Sequence, residues 1–297
     1  MKTMITLIKR NVKLFFKDKG MFFTSLITPG ILLVLYATFL SNVYRDSFMS
    51  GLPAGFSVSE GLVDGLVAGQ LVSSILTVSC VTVAFCSNFL MVQDKANGRI
   101  KDFLISPVKS STLSVSYYVA TLISTLIVCL TATVICLGYV ALTGWYLSET
   151  DVLLLFADVI VLVLFGTVLS SLINFFLSTQ GQISAVGTII SAGYGFICGA
   201  YMPISSFSTG LQNVVKFLPG TYGTSLMRNH ALNGVFDEMM SEGMPQMVVD
   251  QFKTLLDCNI DFFGTSVSTG AMYGILAGSV IILLGLFILA NKLKNKN

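Results

Sequence analysis

The chain has 297 residues, of which 54% are hydrophobic and only 11% charged, and its formal net charge is +2. A soluble domain carries about 25% charged residues, so a water-facing surface of this size is excluded and much of the exterior must face lipid. The near balance of charge gives no basis for nucleic-acid binding.

Residues 1–20 come first. Ile5, Ile8, Val12, Phe15 and Phe16 recur at three- and four-residue spacing, with Lys9, Lys13 and Lys17 as an adjoining stripe. That pattern predicts an amphipathic helix lying in the membrane interface, either as an anchor with a topology signal or as a surface for a partner. Six apolar segments come next, near Met21–Leu40, Leu66–Val92, Leu113–Thr143, Val152–Leu177, Ile183–Met202 and Ser266–Ala290. Each is near the roughly 20 residues that cross a bilayer. The first is too long for the apolar core of a cleaved signal, and no small-residue cleavage site stands at Ser41–Arg45. The third is long enough to tilt or project.

Of the 17 Lys and Arg residues, 13 fall in residues 1–20, the loop after the second segment and the C-terminal tail. The remainder are Arg45, Lys216, Arg228 and Lys253. The positive-inside rule puts both termini in the cytoplasm, as an even number of spans requires. The six cysteines, Cys80, Cys86, Cys129, Cys136, Cys198 and Cys258, form no CxxC pair and read as small packing residues. Only Cys258 lies in a polar segment.

Two connecting segments carry pattern. In the loop 94–112, Gly98 breaks the preceding helix and Pro107 stops a short one by pushing Ser106 out of the helical region. Ile100, Phe103 and Leu104 share a face of that helix, which needs a cover; the protein's own helix ends are the first expectation. In the segment 203–265, Leu211, Val214, Val215 and Leu218 predict a short helix ended by Pro219-Gly220. The stretch is too apolar for a solvated loop and is expected to dip into or cap the bundle. Beyond Val235 it is acidic, and Pro245 opens a helix with Val248, Phe252, Leu255 and Leu256 on its apolar face.

The chain has no GxxxxGK[ST] phosphate loop, HExxH or GxSxG, so no ATPase or hydrolase activity and no catalytic residue is expected of it. The one histidine, His230, cannot make a metal site alone, and a structural role is expected. Asp158 is the one ionisable residue well inside an apolar segment, a candidate for a substrate or proton role, although water or an outer arginine would reach it two turns from the helix end. Ser and Thr in the spans read as interhelical glue. Asn88 with Phe85 and Phe89 makes an amide-aromatic surface suited to an amphipathic ligand.

Two stretches then point to a family. DKANGRIKDFLISPVKSSTLSVSYYVA, beginning at Asp94, resembles the acidic–Gly–helix–SP segment of the permease subunits of type-2 ABC exporters, the drug and polysaccharide export class. CGAYMPISSFSTGLQNVVKFLPGTYGTSLMRNHALNG, beginning at Cys198, resembles their outer segment, with its G–P, LP–TY and R–G landmarks. Asp94 stands where many members have Glu. The resemblance implies an all-α integral membrane fold in a single permease domain, residues 1–297: six transmembrane helices, an N-terminal interfacial helix (1–20), a short cytoplasmic coupling helix in loop 94–112, and an outer re-entrant segment within 203–265. It implies coupling to an ATP-binding subunit through Gly98, Ile100, Phe103, Leu104 and Pro107. It also implies a second permease subunit, identical or related, and a bacterial plasma-membrane setting. ATP and magnesium would sit on the partner, with no cofactor or metal on this chain. The second and fifth spans would line the pathway, which gives Phe85, Asn88, Phe89, Tyr194, Phe196 and Ile197 as substrate candidates. The expected function is export of an amphipathic drug, antibiotic, peptide or lipid-like molecule. Export of a polysaccharide or an ion by the same machinery, and a sensor or immunity protein without transport, stand as alternatives.

Overall fold

The computed structural model describes residues 2–52, 58–105 and 108–294. Ser106 and Pro107, expected to end the short loop helix, lie outside the described residues, as do the side chains of Lys101 and Leu104.

Helix α1 (Lys2–Lys17) buries Leu7, Asn11 and Phe15, one residue per turn, and presents its lysines on the other side. Asp18 then caps α2 (Lys19–Leu35) by accepting from Met21 N at 3.1 Å. The helix continues through a π-helical turn at Tyr36–Leu40 into α3 (Ser41–Gly51), so the first apolar helix runs 11 residues beyond the expected Leu40. Pro29 sits inside α2 and removes one backbone donor upstream of that turn.

The centre of the molecule is α4 (Glu60–Ala96), whose apolar window is buried throughout. Around it pack α2, α6 (Ser110–Thr143), α7 (Glu149–Phe176), α8 (Gln180–Ile197) and α10 (Pro219–Ser241), with α12 (Thr269–Lys294) against α7 and α10. A helix hydrophobic all round must sit in such a position, and the Ser/Thr residues that dot α4 face other helices instead of lipid. Capping boxes open α7 (Ser148 with Asp151) and α8 (Thr179 with Gln182). The far end of α7 is closed by the Lys95 ammonium, which donates to the carbonyls of Asn174, Phe175 and Leu177 at 3.1, 2.7 and 3.1 Å.

Five helical segments among the described residues are long and apolar enough to cross a membrane: Lys19–Gly51, Glu60–Ala96, Ser110–Thr143, Glu149–Phe176 and Thr269–Leu293. The fifth expected span, near Ile183–Met202, corresponds to helix α8, which is not among these five; it stops at Ile197 instead of Met202, after 18 residues. At about 1.5 Å per residue that is about 27 Å. Gly199 then turns the chain with φ of +75°.

Beyond that turn the chain differs from expectation in one respect. The short helix α9 (Thr209–Val215) is present, but Pro219 does not merely terminate it: it is the first residue of α10, a position that suits proline because its missing N–H has no partner there. Leu218, Pro219 and Gly220 lie beside Phe165 and Leu169 of α7 and Leu283 of α12, in the middle of those helices. The other end of α10 meets the start of α4, where Val235 approaches Gly65. Helix α10 therefore runs from mid-bundle to one rim, a re-entrant element. Its close approach to α4 depends on Gly69: a Cβ there would lie 2.8 Å from the Ala231 carbonyl oxygen. Helix α11 (Gln246–Leu255) starts after Pro245 as expected and buries Val248, Val249 and Phe252. A two-stranded antiparallel hairpin, β1 (Ile260–Phe262) with β2 (Thr265–Val267), leads into α12 and pairs Ile260 with Val267. All six cysteines are free and buried, Cys258 included.

Candidate functional site

Two regions near the expected site residues have distinct geometry. The first is the end of the bundle where α1, α5 (Arg99–Ile105) and the starts of α6 and α8 meet. Gly98, with φ of +74°, breaks α4 from α5 in the left-handed region that favours glycine. Just before it, the fully buried Asp94 carboxylate gathers three donors: Arg10 of α1 at 2.7 Å, the Tyr117 hydroxyl of α6 at 2.6 Å and Arg99 of α5 at 3.2 Å. Three donors on one carboxylate fix the interfacial helix and the loop helix to the bundle. The Arg10 guanidinium lies over the Phe103 ring at 5.2 Å, a cation–π contact.

This arrangement sorts the expected coupling residues. Ile100 and Phe103 are half-buried and pack inward on the core. Among the described side chains of α5, the apolar one that points out is Ile105, 86% exposed, with Asp102 and Arg99 exposed beside it. The protein's own α1 covers Phe103 through Arg10, far away in sequence.

The second region is a cleft. Helices α2 and α8 both lean on α4 but leave grooves between them. Near the α5 end, a groove of about 680 Å³ is lined by Thr24, Thr28, Phe89, Gln93, Thr188 and Ser191 among others, a mixture of hydroxyl, amide and apolar surface. Towards the other rim a second groove, about 460 Å³, is almost wholly apolar and is bounded by Phe39, Phe48, Phe196, Tyr201, Phe252 and Leu256 among others. The flank of α2 and of the π-helical turn after it is bare beside these grooves, with Phe23, Ile27, Ile31 and Phe39 all more than half exposed.

Of the six substrate candidates, Phe89 and Phe196 border this cleft, one in each groove. Phe85 and Asn88 do not: both are buried in the bundle, and the Asn88 amide donates to Ser170 and Ser171 of α7 at 3.3 and 3.0 Å. Tyr194 and Ile197 face a separate apolar crevice between α8, α7, α10 and α12. The structure does not bring the six together: on α8, Phe196 lies two residues from Tyr194 and so projects from the opposite face.

Asp158 and His230, read separately in the sequence, are partners: His230 Nδ1 lies 2.6 Å from Asp158 Oδ2, and the Tyr273 hydroxyl of α12 donates to the other carboxylate oxygen. The carboxylate is buried, not reached by outer water or an arginine as expected. Arg228 is fully buried and forms the second tie of α10. It donates to Asp257 at 3.0 Å and to the Gly199 carbonyl at 2.6 Å; with its amide oxygen turned toward the guanidinium, Gln70 accepts at 3.1 Å. Such a charge is tolerable only when every donor is met. Burial pushes the neighbouring Cys258 thiol up to about 12. No group of three or more His, Cys, Asp or Glu suited to a metal occurs among the described residues.

A bundle of lipid-length helices around a buried central helix, with an interfacial helix at one end and a re-entrant helix at the other, defines a multi-pass membrane protein. The sequence profile of the ABC-2 type transporter family matches residues 3–231, well over half of the chain. The chain belongs to that family and is an ABC permease subunit, of a kind that generally works with ATP-binding subunits. No curated protein matches the chain.

Proposed function

We propose that this permease exports an amphipathic molecule, such as a drug, antibiotic, peptide or lipid-like compound, driven by ATP hydrolysis on separate subunits. The observation that carries the reading is the α2–α8 cleft. Its groove near the α5 end offers hydroxyls and an amide beside Phe89, and its far groove is aromatic and apolar. A ligand with both polar and apolar parts finds both kinds of surface on one line along the bundle. The lysine-rich end, with α1 and α5, is the cytoplasmic one by the positive-inside rule. The ATP-binding subunit docks there on Arg99, Asp102 and Ile105, and a push on α5 reaches α1, α4 and α6 through Asp94. A second permease copy or a related chain covers the bare flank of α2 and closes the cleft. ATP and magnesium belong to the partner; this chain performs no hydrolysis.

The test is transport into inside-out vesicles carrying the assembled complex, with a panel of fluorescent amphiphiles. ATP-dependent uptake, reduced tenfold or more by Thr28→Phe or Thr188→Phe with assembly unchanged, supports the cleft as the pathway. Uptake unaffected by both substitutions contradicts it.

A further inference from the structure

The buried cluster of Asp158, His230 and Tyr273 joins three helices and takes no part in the cleft. Both carboxylate oxygens of Asp158 receive hydrogen bonds, one from the Tyr273 hydroxyl and the other shared with His230 Nδ1 at 2.6 Å. A contact of that length needs a proton between oxygen and nitrogen. A neutral Nδ1–H imidazole supplies such a proton as well, so the proton count rests on the electrical balance of the site. An unpaired charge is costly at this depth, so the neutral total is favoured: a carboxylate with an imidazolium, or a carboxylic acid with an imidazole. Both descriptions contain one proton more than a carboxylate beside a neutral imidazole.

The neighbours do not change this balance. From α4, the Cys80 thiol lies within electrostatic reach of Asp158, and Cys129 of α6 lies beside Cys80. Both are free, buried thiols and bring no charge of their own. From α12 comes only Tyr273. On α10 itself, Arg228 is two residues away, but its charge is engaged by Asp257. On α7, Asp151 lies two turns off and accepts from Asn233 at 3.1 Å. The Asp151–Asn233 and Asp158–His230 pairs lie along one antiparallel seam between α7 and α10. The imidazole keeps 11% of its surface exposed and the carboxylate none, so the imidazole is the outward-facing member of the pair.

We propose that Asp158, His230 and Tyr273 form a proton-binding site, and that its single bound proton locks the re-entrant helix α10 to α7 and α12. Removing the proton leaves a buried carboxylate unbalanced; adding a second leaves a buried imidazolium unbalanced. Either change loosens the seam, and movement of α10 away from α7 hands the proton to water. The ligand is the proton alone, and its binding does not depend on which molecule the cleft carries.

The experiment uses the full-length protein in lipid nanodiscs. Thermal unfolding is followed from acid to alkaline pH for the wild type, Asp158→Asn, His230→Gln and the double variant. Near neutral pH each single change should lower the midpoint more than the double change does, a coupling of about tenfold or more in the unfolding equilibrium. The advantage of the wild type over the double variant should shrink toward both ends of the pH range. Additive losses, or an advantage that does not vary with pH, would overturn the proposal. Should these variants fail to assemble, infrared difference spectra of the wild type and the milder Tyr273→Phe variant decide the matter. Acidification should produce a protonated-carboxyl band whose frequency shifts when the tyrosine hydroxyl is removed, and the absence of any Tyr273-sensitive carboxyl band would refute the site.

Discussion

Replacing Asp94 with asparagine should release the interfacial helix α1 from the bundle. The carboxylate is fully buried and accepts from Arg10 at 2.7 Å, Tyr117 at 2.6 Å and Arg99 at 3.2 Å. Hydrogen bonds to charged groups contribute about 1.5–3 kcal/mol each. The Arg10 bond is discounted because that side chain is 27% exposed, and the Arg99 bond more so at 54%. An exposed ion pair of the latter kind contributes at most about 1 kcal/mol. The amide retains a bond from Tyr117, but it offers no charge to the two guanidinium ions, and its NH₂ cannot accept from them. The net loss is about 2–4 kcal/mol. Hydrogen exchange measures it directly: amides of α1 protected by this tie should exchange roughly 30- to 900-fold faster, at 1.36 kcal/mol per tenfold. Arg99→Ala, which removes only the exposed partner, should stay within about fivefold. Exchange in Asp94→Asn within about threefold of the wild type would show that α1 is held by its apolar face alone and that Asp94 is not the joint.

Other outcomes rest on particular contacts. Gly69→Ala sets a methyl group 2.8 Å from the Ala231 carbonyl oxygen and should cost about 1–3 kcal/mol of stability, read as a lower thermal midpoint with unchanged membrane insertion. Cys258, with its thiol pushed up to about 12, carries almost no thiolate at neutral pH and should resist maleimide in the native protein while reacting freely after denaturation. In a cysteine-free background, Lys109→Cys should be protected from an impermeant reagent in intact cells and Asp250→Cys labelled, since both positions are exposed but lie at opposite ends of the bundle.

The long helices were legible because lipid selects long apolar runs: α6, α7 and α12 begin within a turn of their expected starts, and α4 extends its expected run at both ends. Helix α10 was not legible. It is buried on many sides by Gly, Thr, Ser, Met and a charged Arg228, so it has no apolar stripe, and Pro219 reads equally as a stop and as a first residue. The π-helical turn at Tyr36–Leu40 leaves no periodic mark. The polar joints were hidden by distance along the chain: Asp158 and His230 are 72 residues apart, and Arg10 and Asp94 are 84 apart. For the same reason the sequence, read as a loop helix covered by the protein's own helix ends, did not disclose that the cover over Phe103 is Arg10. The cleft depends on which faces of α2 and α8 remain uncovered, which only packing decides.

Coupling to an ATP-binding subunit is tested most directly by purifying the full-length permease from its native membranes and assaying what accompanies it. An ATP-binding subunit should co-purify and hydrolyse ATP, and the permease separated from it should hydrolyse none. Ile105→Asp, at the outward apolar position of α5, should reduce both co-purification and hydrolysis tenfold or more with normal membrane levels. A permease that purifies without any ATP-binding subunit, or an Ile105→Asp variant that keeps its partner and its full ATP turnover, would contradict that coupling.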